Sequence, residues 1–290
     1  MNSDYMGLLQ NKAVNGWKLF WLITTPLSVA VVIAMTRVDL SSAENISSLI
    51  QFSVRCAVPL LYLAFAASSL QSVFPSLFSR WLLRNRKIIG LCFAAAMAWQ
   101  LLFILWLTGV HTQYYVEDVY VLSDAIEGVG GYLLLTAMVL TSFKFGRKHL
   151  SAKQWKLLHK FGIYYLWAYA WSVYWYELFY YDYLEPIDTI YYVAGLLAWG
   201  LRLTAWSKKR WQASTVFSQP LLLLVGIAAV MASFSAMLVG SPWSGQAFEL
   251  FAGNAVIEAV GTYVPYFPFV PFFPIFIMMS GAFIIVRSRE

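Results

Sequence analysis

Long apolar runs separated by short polar links constrain this chain more than any other feature of its sequence. The runs cover residues 17–35, 49–70, 88–107, 129–143, 155–179, 187–206, 216–239 and 264–286. A helix needs roughly 20 mostly apolar residues to cross the hydrocarbon core of a bilayer. The sequence therefore predicts an all-α, polytopic membrane helix bundle with about eight transmembrane helices. The fourth run is short, so we expect its helix to begin before residue 129.

Composition supports a lipid environment for these runs. Hydrophobic residues make up 60% of the chain and charged residues only 12%. A soluble domain carries roughly a quarter of its residues as charged side chains. The formal net charge of +6 does not indicate nucleic-acid binding, because the basic residues lie in short clusters between apolar runs. The expected partner of the surface is the lipid bilayer.

The links alternate in charge along the chain. Basic residues fill the links after runs two, four and six and the C-terminus: Arg80, Arg84, Arg86, Lys87, Lys144, Arg147, Lys148, Lys153, Lys156, Lys208, Lys209, Arg210, Arg287 and Arg289. Acidic residues fill the other links: Asp39, Glu44, Glu117, Asp118, Asp124, Glu127, Asp182, Glu185, Asp188, Glu249 and Glu258. Because Lys and Arg concentrate in cytoplasmic links, we expect both termini in the cytoplasm.

The last run has an unusual beginning. Prolines recur at every third position at Pro265, Pro268, Pro271 and Pro274, a spacing that favours an extended, polyproline-like path and excludes regular helix. We therefore expect the final helix to begin near Pro274, after an outer segment packed against protein. The preceding stretch, 241–262, is expected to form a short helix on the outer surface.

Ionisable and polar side chains inside predicted spans are candidates for function, because they are costly in hydrocarbon. Arg55 could bind an anionic cofactor group, such as a haem propionate or a quinone oxygen, or be a structural arginine bonded to carbonyl groups. His159 could be an axial haem ligand, and hence a metal ligand, or an interfacial histidine at a helix start. Gln100 is expected to be an interhelical hydrogen bonder.

Four segments occur in a characteristic order. They read Ile50-Gln51-Phe52-Ser53-Val54-Arg55, Arg84-Asn85-Arg86-Lys87-Ile88-Ile89-Gly90-Leu91, Leu140-Thr141-Ser142 and Trp155-Lys156-Leu157-Leu158-His159-Lys160. In this order they resemble the ferric-reductase-like transmembrane domain superfamily, closest to the haem-binding membrane subunits of the bacterial periplasmic methionine sulfoxide reductase system. The resemblance implies a ferric-reductase-like core over 49–210. Residues 1–48 would then be an N-terminal tail and first transmembrane helix, and 211–290 two additional helices with an outer amphipathic, proline- and aromatic-rich segment.

The resemblance also implies a cofactor site. Members of this superfamily pass electrons across the membrane through b-type haem held by histidines on spans three and five. Carried over to this chain, those positions fall at Gln100, His159 and Ser172, and only His159 is an imidazole. If spans three and five face each other, the residues lining the former haem cavity would be Trp99, Gln100, Trp167, Trp171 and Ser172.

Two functions follow from this resemblance. The first is a divergent membrane scaffold or partner subunit that lacks bis-histidine haem, with a quinone or another lipophilic ligand in the old cavity. The alternative is a haem b-containing transmembrane electron-transfer subunit, with His159 on the iron and a separate redox partner protein. Either would be a multi-pass protein of the bacterial inner membrane. A solute transporter is disfavoured, because mid-membrane charges are scarce and the chain lacks a clear repeat.

Overall fold

The computed structural model describes residues 7, 9–181, 185–213, 219–251, 253–267 and 269–289. Within these ranges the chain forms helices joined by turns, with no β-strand. The helices are α1 Gly16–Thr36, α2 Ala43–Val73, α3 Leu77–Val110, α4 Leu122–Thr141, α5 Ala152–Phe179, α6 Pro186–Ala213, α7 Pro220–Val239, α8 Ser241–Phe251, α9 Ala255–Gly261 and α10 Phe273–Arg287. Shorter helical turns occupy Lys12–Val14, Thr112–Tyr114, Tyr115–Val119, Lys144–Arg147 and Val270–Phe272.

Each predicted apolar run coincides with a helix, α1 to α7 and α10, so the all-α prediction is confirmed. The first residues of run seven and the acidic residue Asp182 lie outside the described residues. Among the described residues, six helices are long and apolar enough to cross a membrane: α1, α2, α3, α4, α7 and the stretch Val270–Arg287. The other two, α5 and α6, have 28 residues each and reach about 42 Å. Their many Trp, Tyr and charged residues make them less apolar.

The ends of three helices follow local sequence signals. The Ser76 side chain accepts a hydrogen bond from the Ser79 backbone and completes a capping box at the start of α3, which satisfies donors that a helix start leaves open. As predicted, α4 begins before residue 129, at Leu122. The last helix begins at Phe273 with Pro274 in its first turn, so the predicted start near Pro274 is confirmed. Its entry packs against protein, because Val270 and Pro271 are buried, but it forms a 3-10 turn over Val270–Phe272 and not the expected extended, polyproline-like path.

Two predictions about the outer segments need adjustment. The stretch 241–262 forms two short helices, α8 and α9, where a single one was expected. The assignment of Glu127 and Asp188 to acidic outer links is wrong, because they lie within α4 and α6 and are only 5% and 2% exposed. Glu127, Gly131 and Leu135 are all buried and are spaced four residues apart, so they share one face of the helix.

Contacts divide the chain into two compact units, Met1–Tyr169 and Ala170–Glu290. In the first unit α2 and α3 pack along each other, and α1 packs against α3. At the end of the unit that carries the α1–α2 link, an apolar cluster joins these helices through Val31, Ile46, Leu49, Phe103 and Leu107. The buried cluster holds α1, α2 and α3 together at this end of the unit.

The opposite end of the first unit holds the N-terminal segment by hydrogen bonds. The Asn85 amide donates to Asn15 Oδ1 at 2.8 Å, and its oxygen accepts from the backbone N–H of Gly16 at 3.1 Å. The indole of Trp81 donates to the carbonyl of Val14 at 2.9 Å. The segment before α1 is therefore fixed to the first turns of α3.

In the second unit α7 and α10 pack with their backbones in close approach. A Cβ atom added to Gly281 would lie 2.8 Å from the carbonyl oxygen of Gly226, so small residues are required at this crossing. The Tyr192 hydroxyl of α6 donates to the carbonyl of Met237 at 2.8 Å. Near the C-terminus, the Arg289 guanidinium lies over the Trp211 ring at 4.5 Å and donates to its carbonyl at 3.2 Å.

Candidate functional site

His159 lies at the junction of α4 and α5, and its ring is engaged by neighbouring side chains. Its Nε2 atom is 3.0 Å from Thr141 Oγ1. Because the Thr141 hydroxyl donates to the carbonyl of Ala137 at 2.7 Å, its oxygen is left to accept the N–H of His159. The Trp155 ring lies 4.5 Å from the imidazole and donates to the carbonyl of Thr141 at 3.1 Å. His159 thus contributes to the contact between α4 and α5.

Gln100 occupies the position that the resemblance assigns to a haem ligand on α3, and it bonds to α4. Its Oε1 accepts a hydrogen bond of 2.8 Å from the hydroxyl of Tyr132, which also lies 3.2 Å from the carbonyl of Met97. The prediction that Gln100 is an interhelical hydrogen bonder is confirmed. Thr141 and Tyr132 are nine positions apart on α4, so the bonds of His159 and Gln100 lie about 13 Å apart along that helix.

Trp99 faces a different helix from Gln100. Its indole N–H donates to Ser28 Oγ of α1 at 3.0 Å, and its ring stacks on Phe103 at 6.2 Å. Consecutive residues of an α-helix point about 100° apart, which explains why these neighbours contact α1 and α4. The structure therefore does not bring Trp99 and Gln100 to one lining surface.

Two further predicted residues of the first unit lie on α2 and α5. Arg55 is partly buried on α2. Trp167 is buried on α5 and stacks on Phe65 of α2 with ring centroids 5.4 Å apart and planes at 11°. The Tyr164 ring meets Phe65 edge-on at 5.3 Å. Trp167 therefore fills an aromatic contact between α2 and α5.

Trp171 and Ser172 belong to the second unit and are both fully buried. The Trp171 ring stacks on Tyr192 at 5.3 Å and lies 5.7 Å from Phe272. These contacts join α5 to α6 and to the entry of α10. Trp171 serves as aromatic packing, and the hydroxyl of Ser172 offers no nitrogen ligand for iron.

The environment of Glu127 was not anticipated from the sequence. The Tyr165 hydroxyl of α5 donates to the backbone carbonyl of Glu127 at 2.9 Å. Gly130 leaves room for that hydroxyl, since a Cβ atom there would lie 2.9 Å from it, and a Cβ atom added at Gly131 would be in van der Waals contact with Tyr165 and Tyr169. The spacing Glu127-Gly131-Leu135 was the available sequence signal, because a carboxylate in phase with buried residues indicates a face turned toward protein.

These contacts do not fit bis-histidine haem ligation. The two axial ligands of one haem bind the iron from opposite faces, whereas the three carried-over positions supply one imidazole, one amide and one hydroxyl. The imidazole Nε2 of His159 and the Oε1 of Gln100 are already hydrogen-bonded to α4. Within the described parts of the chain, no group of three or more His, Cys, Asp or Glu side chains could hold a metal ion.

Comparisons with known proteins add no family assignment. No protein-family model, no curated protein and no solved structure matches this chain. The site therefore has to be interpreted from its own contacts.

Proposed function

We propose that this chain is a divergent ferric-reductase-like membrane protein that acts as a scaffold or partner subunit without bis-histidine haem. The observation that carries the proposal is the hydrogen bonding of His159 and Gln100. Both side chains occupy positions where the superfamily would bind iron, and both bond to α4. Polar side chains between transmembrane helices commonly serve such contacts. The superfamily assignment itself rests on the resemblance of residues 49–210.

The proposal includes eight spans with both termini in the cytoplasm of a bacterial cell, in the inner membrane. Two sets of contacts support this orientation, one in each unit. In the first, the N-terminal segment bonds to Trp81 and Asn85, which lie among the basic residues of the first turns of α3. In the second, Arg289 contacts Trp211 after the basic end of α6. Within each unit, segments with Lys and Arg therefore lie together at one end, as the positive-inside rule requires.

An absorption spectrum tests the absence of haem. The full chain, purified from a haem-replete host, is expected to lack a Soret band and to be unchanged by dithionite. A Soret band that shifts on reduction, disappears in His159→Ala and persists in His149→Ala would overturn the proposal in favour of the haem b alternative. His149 is the matched control because it is an exposed histidine of the α4–α5 link.

A double-mutant cycle tests the structural role of His159 directly. If His159 serves the bond to Thr141, then His159→Ala and Thr141→Val each remove the same contact. We expect a coupling free energy of about 0.6 kcal/mol, the average for such bonds in membrane proteins, since residues in direct contact are not additive. Additive effects would contradict the structural role.

Reporter fusions test the orientation separately. A reporter that is active only in the cytoplasm, fused after Arg210, is expected to be active there, and the same reporter fused after Asp118 is expected to be inactive. An inactive Arg210 fusion together with an active Asp118 fusion would refute the orientation but would leave the result of the haem spectrum unaffected.

A further inference from the structure

An apolar groove runs along the first unit between α3 and α4, with the start of α1 at one end. We call it the α3–α4 groove. Its volume is about 380 Å³, within the range of about 300–1,000 Å³ that is usual for small-molecule sites. Its lining is Trp17, Phe20, Leu91, Ala94, Ala95, Met97, Ala98, Leu101, Tyr132, Leu135, Thr136, Val139, Leu140 and Phe143. Three alanines of α3 are among its lining residues, and their small side chains leave the groove open.

The length and the opening of the groove fit a hydrocarbon chain. Its lining extends from Leu91 to Leu101 on α3, a rise of about 15 Å. The hydrocarbon core of a bilayer is about 30 Å thick, so the groove spans the depth of one leaflet. Ala98 and Thr136 are exposed at its side, which leaves it open to molecules entering laterally from lipid.

The two ends of the groove differ in chemistry. The end at mid-membrane is marked by Tyr132, whose hydroxyl pairs with Gln100. At the other end, Trp17 stacks on Phe143 at 6.3 Å, and Lys87 Nζ lies 5.2 Å from the centre of the Phe143 ring. The ammonium group of Lys87 therefore lies at this end of the groove, which we call the rim, where a bound lipid would place its headgroup.

Charge complementarity decides which lipid fits. The rim lies at the end of the unit formed by the N-terminal segment, the α2–α3 link and the α4–α5 link. The sequence has no Asp or Glu within residues 45–116 or 128–176, which include both of these links, and the N-terminal segment contains one acid, Asp4. Lys87 and Lys144 therefore have no carboxylate within these two ranges to neutralise them. Basic sites between transmembrane helices on the cytoplasmic side attract anionic lipid headgroups.

We propose that the α3–α4 groove binds one acyl chain of an anionic glycerophospholipid and places the lipid phosphate beside Lys87. The proposal rests on the orientation proposed above only for the identity of the leaflet, which would be the cytoplasmic one. It is independent of the haem spectrum, because a Soret band would overturn the scaffold proposal and leave this groove unchanged.

Lipid retention by the purified full chain tests the proposal. The protein in a neutral detergent is mixed with phosphatidylglycerol or phosphatidylcholine of identical acyl chains, and bound lipid is counted by native mass spectrometry. We expect one phosphatidylglycerol per chain and a clear preference over phosphatidylcholine. Lys87→Gln is expected to reduce that preference about fivefold, the effect of one basic residue near a membrane surface. Inorganic phosphate without an acyl chain is expected not to compete.

Matched variants separate the headgroup site from the groove. Ala98→Trp should fill the groove and abolish retention of both lipids, whereas Leu133→Trp adds the same bulk on the exposed face of α4 outside the lining and should change nothing. If Ala98→Trp does not fold, Thr136→Phe fills the groove from α4. Lys153→Gln, a loss of one exposed charge on α5, is the control for Lys87→Gln.

Several outcomes would overturn the proposal. Equal retention of the two lipids by the wild-type chain would exclude headgroup recognition. Equal effects of the Lys87 and Lys153 variants would mean that the preference is a general charge effect. Unchanged retention when the groove is filled from α3 or α4 would place the lipid elsewhere.

Discussion

Replacing Gly281 by a larger residue tests the close packing of α7 and α10. A Cβ atom at this position would lie 2.8 Å from the carbonyl oxygen of Gly226 and 3.0 Å from Ala229 Cβ, so the two backbones would have to separate. Overpacking of this kind costs about 1–3 kcal/mol, whereas alanine gains about 1 kcal/mol over glycine in helix propensity. We therefore expect Gly281→Ala to destabilise the chain by about 1 kcal/mol. Gly281→Val, which adds two more methyl groups than alanine does, should cost about 3 kcal/mol.

Unfolding by SDS in mixed micelles, followed by far-UV circular dichroism, measures these differences. The matched control is Gly200→Ala in α6, where a Cβ atom would meet nothing within 4 Å; it should leave stability unchanged or raise it by up to about 1 kcal/mol. Because Gly226 and Gly281 touch each other, one separation of the helices relieves both substitutions. The double alanine variant should therefore cost less than the sum of the single variants. If Gly281→Val were as stable as the wild-type chain, the close approach of α7 and α10 would be refuted.

Two more predictions concern hydrogen bonds of the first unit. Tyr132→Phe removes the hydroxyl that donates to Gln100 and should lower stability in the same SDS titration by about 0.6 kcal/mol, and by no more than about 1.7 kcal/mol; a larger loss would contradict the view that the hydroxyl contributes one ordinary interhelical hydrogen bond. Asn85→Ala removes the side chain that bonds to Asn15, so trypsin should cleave after Lys12 faster than in the wild-type chain. An equal cleavage rate would show that the N-terminal segment is held by other contacts.

The sequence predicted those features that depend on the bilayer or on local backbone chemistry. The apolar runs became helices because an extended chain cannot satisfy its backbone polar groups in lipid. The start of α10 beside Pro274 followed from the missing N–H and fixed φ of proline. Even the role of Gln100 was predictable, since a mid-span amide needs a partner on another helix.

The features that were predicted wrongly, or not at all, depend on which helices contact each other. Glu127 lies close in sequence to three exposed acids, so it was assigned to an outer link. Its burial is imposed by α5, where Tyr165 reaches its carbonyl. Likewise, adjacent positions such as Trp99 and Gln100 were assigned to one cavity, although the helical rotation between them directs them to α1 and α4. The α3–α4 groove could not be seen in the sequence, because its lining comes from three helices.

The attachment of the N-terminal segment to α3 has a consequence for biosynthesis. The groups that hold residues 14–16 belong to Trp81, Arg84 and Asn85, which leave the ribosome after two helices have already been made. We expect the segment before α1 to stay open to protease during synthesis until the third helix emerges, and to become protected only then. Equal protection of ribosome-bound chains that end before and after α3 would contradict this order of assembly.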